Sequence, residues 1–190
     1  QKEKNNLIKE PQKKIETGTV KKLDTSENQV SMIYIGIGSN LGNKFKNIEK
    51  AKYFLALNQI QIIKTSSYYQ SLSWPNPNKP KFLNIVAEIN TNFRPKKLLE
   101  IFKSIEKKLG RKKTSKRNLP RECDIDIISY KNQILDGHIK VPHSQMHKRN
   151  FVLIPLFEIN KNWVHPKSKI NIKNLIFSLS IKDISSIKKI

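Results

Sequence analysis

A single cysteine, Cys123, stands in 190 residues, which excludes an internal disulfide and fits a reducing compartment. No stretch approaches the ~20 consecutive apolar residues of a membrane-spanning helix. The N-terminus has no apolar run of the secretory kind, and the first arginine is Arg94, so an arginine-rich transit peptide is missing too. These absences point to the cytoplasm, with no membrane partner. Acidic residues are also few: 15 Asp and Glu against 37 Lys and Arg give a net charge of +22 and a pI near 10.1. That imbalance fits nucleic acid or an anionic surface as partner. It equally fits a composition in which Lys, Asn and Ile are abundant while Arg and Gly are scarce, as an AT-rich genome produces wherever a surface tolerates lysine.

What is present suffices for one domain with a proper core, at 37% hydrophobic residues. Residues 1–31 are Lys, Glu, Asn, Thr and Gln with scattered apolar positions, read as a polar, disordered tail or linker. Residues 32–190 form the folded domain. Met32 to Ile37 reads as a strand and Gly38-Ser39-Asn40-Leu41-Gly42 as the turn after it. Residues 44–57 keep helical spacing through Ile48, Ala51 and Leu55. Gln59 to Tyr69 reads as a second strand, and the three prolines of residues 70–81 predict a loop. Phe82 to Thr91 alternates strictly: Leu83, Ile85, Ala87 and Ile89 on one face, Phe82, Asn84, Val86 and Glu88 on the other. Pro95 opens a second helix with the stripe Leu98, Phe102, Ile105 and Leu109, and Gly110 stands where its C-terminal cap belongs. A strand at 122–130 follows, turned back at Lys131-Asn132 into 133–135, and then loop, a helix near 151–159 and a short C-terminal helix. The order strand, helix, strand, strand, helix, strand predicts an α+β ferredoxin-like sandwich, mainly antiparallel, with helices on its faces and added C-terminal elements.

The run Arg121-Glu122-Cys123-Asp124-Ile125-Asp126-Ile127-Ile128 carries the chemistry. Alternation puts Asp124 and Asp126 on one strand face about 6.6 Å apart, with Cys123, Ile125 and Ile127 on the other. Two aspartates on an edge strand also deter aggregation, so the pair alone does not establish a metal site. Arg111, Lys112, Lys113, Lys116, Arg117 and Arg121 precede it and bring cations suited to phosphate beside hard oxygen ligands for Mg²⁺.

Three segments stand together: Tyr34-Ile35-Gly36-Ile37-Gly38-Ser39-Asn40-Leu41-Gly42, then Arg121 to Ile128, then Val141-Pro142-His143 through Arg149-Asn150-Phe151 to Leu156. In this order and spacing, over about residues 32–160, the chain resembles the 6-hydroxymethyl-7,8-dihydropterin pyrophosphokinases of folate biosynthesis. The resemblance implies transfer of the β,γ-diphosphate of ATP to the pterin hydroxymethyl group, with AMP leaving. It implies two Mg²⁺ ions on Asp124 and Asp126, with Asp126 also helping to accept the hydroxyl proton. Arg111 and Arg121 match the catalytic arginines, and Glu106, Lys113, Arg121, Ile127, His143 and Arg149 match contacts to ATP. Phe82 and Phe151 match the rings that sandwich the pterin, Asn84 the amide that reads its edge, and Ser71, Leu72 and Trp74 the loop that meets the same ring. Without the resemblance, Phe82 and Phe151 read as core residues and Glu106 as a solvated helix face. A further folate-pathway domain joined upstream of residue 1 fits the same family.

The chain departs from the family at Leu72 and Ser73, which replace a Pro-Pro pair, at Asn118 in place of tryptophan, at Ser144 in place of tyrosine, and at Lys113 in place of arginine. Loops 70–81 and 110–121 are expected to close over ATP. Other readings separate on sequence. An RNA-binding module shares the topology, but Asp124 and Asp126 oppose phosphate in the strand that would carry its aromatics. A pterin-binding paralogue without catalysis is opposed by the intact acidic pair. His143 and His147 lack the Glu of a zinc helix, and the glycine turn lacks the Lys-Ser/Thr ending of a P-loop, so it is read as packing beside the pterin. Cys123 reads as a buried, inert thiol.

Overall fold

The computed structural model describes residues 32–111 and 118–190. The predicted tail at 1–31 and Lys113, with the central part of the predicted loop 110–121, lie outside them.

The fold follows from how the strands divide their side chains. In Ile33–Ser39 (β1), Ile33, Ile35 and Ile37 enter one apolar cluster, Tyr34 enters another, and Gly36 and Gly38 present no side chain. The first cluster is completed by Lys44–Leu57 (α1), through Ile48, Ala51 and Leu55, and by Pro95–Lys108 (α2), through Leu98, Phe102 and Ile105. Asn43 caps α1 by accepting from Lys46 N at 3.0 Å. Pro95 begins α2, and Gly110 follows its end at φ +111, a conformation that favours glycine.

Gln61–Thr65 (β2) and Tyr69–Ser71 (β3) both pair with Phe82–Asn90 (β4), β4 pairs with β1, and β1 pairs with Asp124–Tyr130 (β5), all antiparallel. With β2 and β3 sharing one edge of β4, this is the order of a ferredoxin-like sheet. Leu135–Asp136 (β6) and Lys140–Val141 (β7) form a separate hairpin. Asn150–Ile159 (α3) covers the second sheet face through Val152, Leu153 and Leu156, which join Tyr34, Val86, Ile128 and Trp163. Ile172–Phe177 (α4) and Ile181–Ser185 (α5) lead to Lys188–Lys189 (β8), which pairs with β3. Among the described residues no helix is long and apolar enough to cross a membrane.

The predicted elements stand, with four corrections. β1 runs through Gly38 to Ser39, so the turn starts at Asn40 rather than Gly38. The predicted strand at 59–69 is split at Ser66, whose Oγ accepts from Val86 N at 3.0 Å while Ser66 N donates to Val86 O. A side-chain oxygen there takes the place of a ladder carbonyl, and pairing resumes at Tyr69, so the loop begins after Ser71. Lys131 and Asn132, both at positive φ, do form a turn, but β6 pairs with β7 and not with the acidic strand. Finally, the single predicted C-terminal helix is two short helices and an edge strand.

Candidate active site

The site lies on the sheet face opposite α1 and α2, where the middle strand has no side chains. Gly38 pairs with Asp124 on one side and Asn84 on the other, and Gly36 with Asp126 and Val86. Two glycines on the central strand thus open a cavity between an acidic strand and an amide-bearing one. At Gly38 the space is already used: a Cβ would lie 2.8 Å from Asn84 Oδ1 and 3.3 Å from Phe82 Cδ1. Asn84, Phe82, Trp74, Asp124, Asp126, Arg121, Arg149 and Phe151 all line this cavity, as do Asn118 and Lys79.

At its charged end, Asp124 Oδ1 accepts from Arg111 Nη1 at 2.6 Å and from Arg121 Nη1 at 2.9 Å. Burial raises the Asp124 pKa, but Arg121, Arg111 and Lys103 outweigh it and hold the carboxyl below its ordinary value. Asp126 Oδ2 accepts from Arg149 Nη1 at 3.3 Å and lies 4.0 Å from His143 Nε2. Burial, and then the Arg149 charge, lower the His143 pKa.

The structure corrects one reading of Glu106. Its side chain is 1% exposed, so it is no solvated helix face. Its carboxylate accepts from Ile125 N at 2.9 Å, from Arg111 Nη1 at 2.6 Å and from Lys103 Nζ at 3.1 Å. Burial raises its pKa, opposed by Lys103, the Ile125 N–H and Arg111, with a net upward direction. Its carboxylate holds Arg111, and neither of the two, nor His143, is among the cavity-lining residues. Ile127 points its side chain into the α1/α2 core, 6% exposed, and so offers the cavity no side chain. Cys123 is buried and unpaired, and burial pushes its thiol pKa up, as expected of an inert residue.

At the other end, Asn84 Nδ2 donates to Ser71 Oγ at 2.9 Å, which holds the amide in place beside Gly38. Ser71 is 1% exposed and supports Asn84 from behind. Leu72 is not a cavity-lining residue; its carbonyl accepts from Ser71 Oγ. Trp74 and Phe151 instead meet at Arg149, whose Cζ lies 5.1 Å from one ring centroid and 5.6 Å from the other.

One site residue went unassigned in the sequence. Asn40, 3% exposed, exchanges bonds with Arg121 (Asn40 N to Arg121 O, 3.1 Å; Arg121 N to Asn40 Oδ1, 2.8 Å) and donates from Nδ2 to Pro80 O at 3.1 Å. It therefore joins the two segments that flank the cavity. A polar residue between a buried strand and a capped helix was the available signal.

The donor set suits one kind of metal. Among the described residues no group of three His, Cys, Asp or Glu could enclose an ion. Two half-exposed carboxylates facing a cavity fit Mg²⁺, which keeps waters and takes further oxygens from phosphate. His143 and His147 do not form a zinc pair, since Met146–Lys148 is a single 3-10 turn and His147 is exposed.

A ferredoxin-like domain with paired carboxylates and converging arginines at one end of a cavity, and rings with an amide at the other, has the layout of a phosphoryl-group transferase. The family model described as 7,8-dihydro-6-hydroxymethylpterin-pyrophosphokinase (HPPK) matches residues 34–161, and the chain belongs to this family. It is 40% identical over 142 residues to the 2-amino-4-hydroxy-6-hydroxymethyldihydropteridine pyrophosphokinase of Aquifex aeolicus, covering 72% of this chain and 85% of that one. The Haemophilus influenzae protein of the same name is 37% identical over 139 residues, covering 72% and 86%. Folic acid synthesis protein fol1 of Pneumocystis carinii is 34% identical over 165 residues; the match takes in 85% of this chain but 22% of the relative. Among solved structures, Plasmodium falciparum HPPK-DHPS A437G with pteroate superposes with a TM-score of 0.63 at 13% identity, covering 83% of this chain and 46% of that chain. That likeness bears on the fold.

Proposed function

We propose that this domain transfers diphosphate from ATP to the hydroxymethyl group of 6-hydroxymethyl-7,8-dihydropterin and releases AMP, a step of tetrahydrofolate biosynthesis. The observation that carries the reading is the polarity of one cavity, lined by Asp124, Asp126 and Arg121 on the β5 side of β1 and by Phe82 and Asn84 on its β4 side, with Phe151 on the same wall. A flat, polar heterocycle suits the ring end, where an amide supplies both donor and acceptor. A polyphosphate suits the charged end.

In this reading Asp124 and Asp126 hold two Mg²⁺ ions, which when bound neutralise polyphosphate charge and acidify the attacking hydroxyl. The pterin hydroxyl oxygen attacks the β-phosphorus, the bond from that phosphorus to the α,β-bridging oxygen breaks, and its electron pair leaves with AMP. Asp126 helps to accept the hydroxyl proton. Arg121 and Arg111 release Asp124 to bind phosphate oxygens and stabilise the charge that develops during transfer. His143 and Arg149 contact the nucleotide beside Asp126, and the Ile127 contact is limited to its backbone. Glu106 serves through Arg111 rather than by touching ATP.

Two observations weigh against the RNA-binding alternative: α3 covers much of the sheet face such a module uses, and Asp124 and Asp126 carry the rest. The test is AMP release from Mg·ATP with and without the pterin. Pterin-dependent AMP supports the reading; ADP, or no turnover, overturns it. A further folate-pathway domain joined before residue 1 belongs to the same proposal, supported by the small share of the Pneumocystis protein that this chain spans. Mass analysis of the native protein tests it.

A further inference from the structure

Residues 180–190 add nothing to the buried core, yet they are fastened at several points. No residue of α5 is buried, and Ile181 and Ile190 are 86% and 68% exposed. The segment also lies beyond residues 34–161, where the family model matches. What holds it is directed and polar. Asn150 Nδ2 donates to Asp183 O and to Ser186 Oγ, and Lys189 Nζ donates to Glu158 Oε1 at 2.9 Å. β8 pairs with β3, and just beyond it Ile190 N donates to Tyr68 O at 3.0 Å.

These fastenings fall on the two elements that carry the rings and the amide. Asn150 immediately precedes Phe151 at the start of α3. β3 is three residues long and ends at Ser71, which holds the Asn84 amide, before the chain runs on to Trp74. So short a strand gains its order from its neighbours, and β8 is the neighbour opposite β4. Arg149, by contrast, is held from the charged side, by Asp126 and His143.

On the pyrophosphokinase reading above, we propose that residues 180–190 form a strap that positions the pterin side of the cavity from outside, with Asn150 and the β8–β3 pairing as its two fastenings. The strap touches no substrate. It sets the gap between Phe151 on α3 and the wall that Ser71 and Asn84 build. A flat ring that binds between groups on separate elements does so more tightly when the gap is set beforehand, because ordering those groups on binding subtracts from affinity. Loosening either fastening therefore weakens pterin and spares ATP.

The test is steady-state AMP release by the full chain, with pterin and Mg·ATP varied in turn. Asn150→Ala removes the donor to Asp183 and Ser186 at a position where helix tolerates alanine. Ile190→Pro removes the N–H that Tyr68 O accepts, and the strand residue before it suits a following proline. Ile190→Ala keeps that N–H and alters only an exposed side chain. N150A and I190P are each expected to raise the pterin KM at least about fivefold with the ATP KM within about twofold of wild type, the scale of one lost hydrogen bond felt at one substrate. I190A should stay within about twofold of wild type for both substrates. Near-ultraviolet dichroism from the buried Trp163 verifies that the variants are folded. A pterin KM that stays near the wild-type value in folded N150A or in folded I190P, or an equal rise in both KM values, overturns the strap and leaves the pyrophosphokinase reading intact. Wild type that releases no AMP in response to pterin overturns that reading, and the strap's role with it.

Discussion

Arg111 Nη1 lies 2.6 Å from Asp124 Oδ1, and the same nitrogen lies 2.6 Å from Glu106 Oε2. One guanidinium thus ties a cavity-facing carboxylate to a fully buried one. Arg121 reaches the same Asp124 oxygen without touching Glu106. The two arginines should therefore part company on substitution. Arg111→Ala leaves Glu106 short of a charged partner and is expected to lower stability by roughly 1.5–3 kcal/mol, the worth of a hydrogen bond to a charged group. Arg121→Ala takes one of two arginines from Asp124 and leaves Glu106 fully partnered, so it should cost less stability than Arg111→Ala and still cut turnover by about 10² or more. Urea unfolding beside an AMP-release assay checks both; equal destabilisation by the two variants contradicts the assignment of Glu106.

Asp126→Ala removes a side chain that is 39% exposed and held only by groups at the cavity edge. The fold is expected to persist, with turnover down at least ~10³, the scale of preorganised electrostatics. Far-ultraviolet dichroism and pterin-dependent AMP release measure the two halves. Retained activity would remove the two-metal assignment.

Gly38→Ala would place a methyl group 2.8 Å from Asn84 Oδ1 and 3.3 Å from Phe82. Asn84 cannot retreat freely, because Ser71 holds its amide nitrogen. Overpacking of this kind costs about 1–3 kcal/mol, and here the strain falls on the proposed pterin end. A KM for pterin raised about tenfold or more, with the KM for ATP within about twofold, is the expected result of steady-state kinetics. An equal rise in both would mean that the charged end is disturbed as well.

Glu158 supplies a pH test away from the cavity. Burial raises its pKa, but bonds from the Ser67 hydroxyl, Lys189, Ser67 N and the Tyr69 hydroxyl outweigh it and pull the carboxyl from 4.5 down to about 2. A depressed carboxyl stabilises the fold above its unfolded value and loses that contribution as pH falls through its folded value. The Tm difference between wild type and Glu158→Gln should be largest above pH about 4.5 and close by pH about 2. A difference that stays constant across this window would show that shape, not charge, matters at this position.

The parts of the fold legible in the sequence were those written in local chemistry. Alternation gave β1, β4 and the facing of Asp124 and Asp126, and Pro95 and Gly110 bracketed α2. What escaped was set by partners far along the chain. Ser66 breaks a strand because its hydroxyl meets Val86, twenty residues on, and no local pattern marks that substitution of a side chain for a carbonyl. Glu106 lies one residue past the apolar Ile105 on α2, where a charged residue reads as solvent-facing; Lys103, the Ile125 N–H and Arg111 together make its burial tolerable. The site residues were read through resemblance more than through periodicity. Resemblance brought Phe82, Asn84, Asp124, Asp126, Arg121 and Arg149 to one cavity, yet it said nothing of Asn40 or of the contact between Arg149 and the two rings.

The central strand assigns its two jobs by parity. Its odd residues Ile33, Ile35 and Ile37 fill the core, and its even positions Gly36 and Gly38 leave the cavity floor open. One inserted or deleted codon within residues 33–38 would exchange the two sets, driving isoleucine into the cavity and glycine into the core. Length changes in the loop after Ser71 would shift no such register. Among natural and engineered versions of this domain, insertions should therefore accumulate between β3 and β4 and be missing from β1.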